Sequence, residues 1–137
     1  MLAKKTIRAG ALVLALAACD GGGGGGGPTE TPVPGYLRVT LDTPAADDRA
    51  MVVQLTGPGD ITEVAAARGG HRVFTRAAGG GVRAAVFGSL TDGALLRFRV
   101  SDVAKASQYG AALVEVSDAS HALRGSTGGY GLSVAKE

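Results

Sequence analysis

Apolar and polar residues alternate with a period of two along most of the chain after Gly35. Leu37, Val39 and Leu41 alternate with Tyr36, Arg38 and Thr40, and Met51, Val53 and Leu55 alternate with Val52, Gln54 and Thr56. Val82, Ala84 and Val86 alternate with Arg83, Ala85 and Phe87. Leu96, Phe98 and Val100 alternate with Leu95, Arg97 and Arg99, and Leu132 and Val134 with Gly131 and Ser133. Successive side chains of a strand point to opposite faces, so each stretch reads as a strand with one buried and one wet face. Ile61 to Ala67, Arg72 to Arg76 and Ala111 to Val116 carry the pattern less regularly. Turn chemistry divides the strands at Gly57-Pro58-Gly59-Asp60, Gly69-Gly70, Gly79-Gly80-Gly81 and Asp92-Gly93. Val103 to Tyr109 predicts a short helical segment capped by Ser101 or Asp102. Many short strands at such intervals predict an all-β fold, a single antiparallel β-sandwich over residues 36–137.

The first 35 residues follow other rules. Lys4, Lys5 and Arg8 precede an apolar run from Ala9 to Cys19. The run is shorter than the roughly 20 residues of a spanning helix and fits the core of a signal peptide. It ends in Leu16-Ala17-Ala18-Cys19, and Cys19 is the only cysteine of the chain. This stretch resembles the lipobox of bacterial lipoproteins. The resemblance implies a signal peptide over residues 1–18, cleavage before Cys19 and a diacylglycerol on its thiol. It places the protein in the bacterial cell envelope, lipid-anchored and extracytoplasmic, with the membrane as its first partner. Asp20 after the cysteine resembles the inner-membrane retention signal of enteric bacteria.

Residues 19–35 read as the lipidated cysteine and a linker. Gly21 to Gly27 form an unbroken glycine run, and Pro28, Pro32 and Pro34 follow. Glycine has nothing to bury, and proline blocks regular pairing. Coil scaling gives such a linker of roughly 16 residues an r.m.s. span of about 20–25 Å. No Gly-Lys-Ser/Thr ending accompanies the glycines, which excludes a P-loop.

The chain has 14 basic and 12 acidic residues, a formal net charge of +2. Lys4, Lys5 and Arg8 would leave with the signal peptide, so the mature chain is close to neutral and no nucleic-acid partner is expected. Charge is unevenly spread. Between Val64 and Arg99, Arg68, Arg72, Arg76, Arg83, Arg97 and Arg99 face Asp92 alone. If Arg83, Arg97 and Arg99 share the outer face of adjacent strands, they form a basic stripe, a candidate binding surface for anionic material. The competing reading is a solvated face whose arginines pair with their neighbours.

Candidate chemistry is sparse. His71 and His121 lack a His-Glu-x-x-His motif or a cysteine cluster, so no zinc site is assigned. There is no Gly-x-Ser-x-Gly elbow, no catalytic residue is assigned and no enzyme is expected. Asp42, Asp47 and Asp48 crowd into one short stretch and form a weak calcium candidate, against the alternative of a turn capped by aspartate. No cofactor is expected beyond the covalent lipid on Cys19. The chain has no tryptophan, and of its six aromatics only Tyr36, Tyr109 and Tyr130 offer stacking platforms, each of which also suits a sandwich edge or corner.

Met51 to Gly59, Val82 to Gly88, Gly93 to Val100 and Ala112 to Ala119 follow one another in an order similar to cohesin-like and carbohydrate-binding β-sandwiches. The resemblance implies an immunoglobulin- or cohesin-like sandwich, and the sparse candidate chemistry points to a non-enzymatic role. The expected function is therefore protein binding or scaffolding near the membrane, with an envelope protein as partner. The alternative is a carbohydrate- or cell-wall-binding module with a glycan as partner.

Overall fold

The computed structural model describes residues 27–137. The proposed signal peptide, Cys19, Asp20 and most of the glycine run lie outside the described residues. Eight strands follow in order: β1 (Gly35–Asp42), β2 (Asp48–Thr56), β3 (Ile61–Ala66), β4 (Arg72–Ala78), β5 (Gly81–Phe87), β6 (Gly93–Val100), β7 (Gly110–Asp118) and β8 (Gly131–Lys136). Every stretch with period-two alternation is a strand. They form two four-stranded antiparallel sheets, ordered β3-β6-β1-β8 and β4-β5-β2-β7. The fold is thus the all-β sandwich the alternation predicts.

The apolar phase of each strand builds the core. Leu37, Val39, Leu41, Leu96, Phe98 and Val100 meet Met51, Val53, Leu55, Ala84, Val86 and Val116 between the sheets, all essentially without exposed surface. Leu95 departs from its expected outward phase and is also fully buried. The β1–β6 register slips between Val39 and Thr40, whose partners are Leu96 and Ala94, so Leu95 is an extra residue. A bulge of this kind locally breaks the alternation and adds Leu95 to the core beside Leu96.

Connections follow from turn chemistry. β4 and β5 join through Gly79-Gly80, with φ of 56° and 74° and Ala78 paired to Gly81. Two positive φ values in a two-residue loop match the twist of the flanking strands, and glycine adopts them without steric cost. Gly57 answers a different need: a Cβ there would stand 2.1 Å from the Tyr109 ring. Tyr109 is buried and packs 6.1 Å from Phe98, centroid to centroid. It is a core residue rather than a platform.

A short 3-10 helix, Val103–Gln108, links β6 to β7. Asp102 is its cap, accepting from Ala104 N at 3.0 Å. The same carboxylate oxygen accepts from Val33 N at 3.2 Å, and Val103 N donates to Val33 O at 2.8 Å. The end of the linker is therefore fastened through its backbone, although its side chains pack little: Val33 stays 55% exposed.

Candidate functional site

The three arginines expected to form one stripe do not share a face. Arg97 and Arg99 lie on β6 and Arg83 lies on β5, in different sheets. All three point away from the core, so Arg83 faces the opposite side of the sandwich. This corrects the expected common patch. Alternation assigns a residue to the outer phase of its strand but does not say to which sheet the strand belongs.

On the outer face of β3-β6-β1-β8 the charges satisfy one another. Arg38 and Arg97 each reach Glu137 at 3.2 Å, and Arg99 reaches Glu63 at 3.1 Å. The Arg97 guanidinium lies 4.1 Å over the Tyr36 ring, and the Tyr36 hydroxyl donates to Glu63. The bonds from Tyr36 and then Arg99 hold the Glu63 carboxyl below its ordinary range, and the same bond to Glu63 pushes the Tyr36 phenol up. Glu63 has a φ of 48° at a register slip between Thr62 and Ala65. That left-handed backbone is costly for a non-glycine residue. Arg97 and Arg99 behave as the solvated, paired face.

The three aspartates do not converge on a cation site. Asp48 is fully buried at the start of β2, and Arg124 supplies the positive charge. Arg124 Nε donates to Asp48 Oδ1 at 2.9 Å, and its Nη2 lies 2.5 Å from Asp47 Oδ1. Tyr130 OH donates to Asp48 Oδ1 at 3.1 Å, and Thr43 Oγ1 donates to Asp48 Oδ2 at 2.7 Å. Asp42 stands apart and exposed at the end of β1. Among the described residues no group of three or more His, Cys, Asp or Glu side chains is placed to hold a metal ion. The guanidinium takes the place the calcium reading reserved for a metal, and the calcium candidate is corrected to a buried ion pair. The bond to Arg124 holds the Asp47 carboxyl below its ordinary range. Burial, then the bond to Asp48, pushes the Tyr130 phenol up. Tyr130 is accordingly a corner residue.

The histidines sit on connections. His71 Nε2 lies 3.0 Å from Ser89 O, and its Nδ1 is buried without a partner. His121 is exposed on the turn that Asp118 organises, where Asp118 Oδ1 accepts from Ser120 N and Ala122 N. Neither has a carboxylate or hydroxyl arranged for catalysis among its hydrogen bonds. A cleft of about 610 Å³ lies between Gly59–Thr62 and Ala77–Val82 and carries a single titratable side chain, Asp60.

The outer face of β4-β5-β2-β7 is different in kind. Cross-strand register sets three rows on it. Arg72, Phe87, Ala50 and Ser117 form the first, Phe74, Ala85, Val52 and Glu115 the second, and Arg76, Arg83, Gln54 and Ala112 the third. Phe74 is 63% exposed and Phe87 44%, and their rings meet edge-on at 5.9 Å. Leu123, 66% exposed, extends the apolar surface beyond Ser117, to which it is bridged. Two shallow hollows flank the rings: about 280 Å³ over Phe74, Val52 and Ala85, and about 210 Å³ over Phe87, Ala50 and Leu123. Among the described residues Arg72, Arg76 and Arg83 form no ion pair. Arg83 Nε donates to Gln54 Oε1 at 3.3 Å, and Gln54 Nε2 donates to Ala78 O at 2.8 Å.

The exposed Phe74 and Phe87 rings correct the expectation that only the tyrosines offer platforms, although Phe87 falls with Arg83 in the outward phase of its strand. Phe74 between Val73 and Thr75 carried the same signal in a weaker pattern. Arg124 carried no local signal at all. No family model, no curated protein and no solved structure matches the chain.

Proposed function

We propose that the chain is a non-enzymatic, lipid-anchored protein of the bacterial cell envelope that presents its sandwich for protein binding or scaffolding near the membrane. One observation carries the binding part. The outer face of β4-β5-β2-β7 exposes the Phe74–Phe87 pair beside three arginines without carboxylate partners among the described residues. Aromatic rings and arginine are the residue types enriched at protein interfaces. A contiguous exposed apolar patch rimmed by charge marks an interaction site.

Protection of a sheet edge is the plain alternative for Arg72 and Arg76, because β4 ends its sheet. It does not account for Arg83, which lies on the inner strand β5, nor for a phenylalanine exposed in mid-edge. The anchor rests on the lipobox resemblance of Leu16-Ala17-Ala18-Cys19 and on the glycine-rich linker. The resemblance to cohesin-like and carbohydrate-binding sandwiches supports the fold, and the site must name the ligand, since fold alone does not. The exposed Phe74 ring favours a second reading, a carbohydrate- or cell-wall-binding module that stacks sugar on the ring.

Photocrosslinking in cells separates the two. A benzoylphenylalanine in place of Phe74 should yield discrete protein adducts, and one in place of Ser133 on the other sheet should not. Adducts from position 74 to glycan alone would replace the first reading with the second.

A further inference from the structure

The arginines of the β4-β5-β2-β7 face are arranged against their own electrostatics. Arg76 and Arg83 stand directly opposite each other across the β4–β5 ladder. Like charges so placed destabilise a strand pair. On the other sheet Arg38 and Arg97 are also opposite each other, and there Glu137 bridges both. No described carboxylate does this for Arg76 and Arg83. Gln54 holds Arg83 by Nε only, which steadies the guanidinium and leaves its outer nitrogens directed at no described acceptor.

Resting on the reading of the chain as a tethered binding module, we infer that this face docks an acidic segment of a partner protein. Carboxylates of that segment bridge Arg76 and Arg83, and an apolar side chain enters the hollow over Phe74, Val52 and Ala85. Charge complementarity selects the occupant. A carboxylate offers two oxygens to a guanidinium and forms strong, oriented pairs with it. The hollow of about 280 Å³ has room for one aliphatic or phenyl side chain, given that an apolar cavity of about 150 Å³ holds benzene.

Two other occupants fit less well. A second copy docking the same face two-fold would bring its own Arg72, Arg76 and Arg83 against one further carboxylate, Glu115, and so leave the excess of positive charge unrelieved. A uniformly anionic bilayer would meet Glu115, which lies on this face opposite Val52. It would also meet rings set on strands between arginines rather than on loop tips. A polypeptide answers each position separately, with carboxylates for the arginines and a cation for Glu115.

The test uses the full-length chain in detergent and short fluorescent peptides in which a leucine or phenylalanine is flanked by aspartate and glutamate. Control peptides carry asparagine and glutamine, or lysine, at the same places. Acidic peptides should bind at least about tenfold more tightly than neutral ones, as charge-assisted pairs require, and should weaken as salt rises. The double variant Arg76→Glu/Arg83→Glu should reverse the preference toward lysine peptides, a gain that misfolding cannot produce. Phe74→Ser should weaken binding and keep the charge preference. Arg38→Gln and Arg99→Gln, on the other sheet, should leave binding unchanged.

An acidic preference that survives the double variant, or peptides bound without regard to charge, would overturn the inference. So would binding confined to phosphatidylglycerol vesicles and abolished by the double variant, which would assign the face to the membrane. If acidic peptides fail while crosslinks from position 74 still capture one protein, the binding role stands and only the acidic partner falls.

Discussion

Phe98 has no exposed surface, and its neighbours Arg97 and Arg99 face water with side chains 39% and 47% exposed. That alternation within three residues is the sandwich in miniature, and it sets two unequal expectations. Phe98→Ala removes a ring packed against Leu37 and Tyr109 and should cost about 3–5 kcal/mol. Arg97→Ala gives up an exposed pair to Glu137 and a stacking contact on Tyr36. It should stay near the roughly 0.5 kcal/mol of ordinary surface changes. Urea titration of both variants checks the order. At this scale the sequence was most legible, because the phase of a strand is written in its own residues. Leu95 was misread for a matching reason: a bulge depends on the partner strand, and nothing in Ala94-Leu95-Leu96 announces it.

The Asp48 cluster belongs to the scale of elements. It joins the β1–β2 connection, through Thr43 and Asp47, to the long β7–β8 connection, through Arg124 and Tyr130. Those partners lie 76 and 82 residues from Asp48 in the chain, which is why aspartates close in sequence looked like a metal loop. Tyr130→Phe removes one hydrogen bond to a buried carboxylate and should cost about 1.5–3 kcal/mol, with faster proteolysis between Asp118 and Tyr130 as the local readout. The pair also sets a pH response. Asp47 is held below its ordinary value of 3.8 by Arg124, so its contribution is complete above that value and is lost as pH falls through the lowered one. Asp47→Asn should flatten the acid limb of the unfolding curve, and an unchanged limb would show that Arg124 is not its stabilising partner. Sheet membership was hidden for the same non-local reason. Alternation predicted all eight strands, yet placed Arg83 beside Arg97 and Arg99 when β5 and β6 lie in different sheets.

At the scale of the whole molecule the sandwich has one self-neutralised face and one basic, apolar face, and the proposed lipid on Cys19 would hold both near a membrane. Cys19→Ser should abolish incorporation of labelled fatty acid and leave the precursor unprocessed, as followed by labelling and gel mobility; label retained on the variant would remove the anchor from the proposal. The join between linker and sandwich has a mechanical consequence. Val33 is clipped to Asp102 and Val103 just before the chain enters β1, and β1 is an inner strand, flanked along its length by β6 and β8. A pull arriving through the N-terminal side would first strain the Val33 clip. It would then load two antiparallel ladders together in shear along the strand, rather than peel one open bond by bond. A sandwich tethered at its N-terminus would thus be held where two ladders share the load.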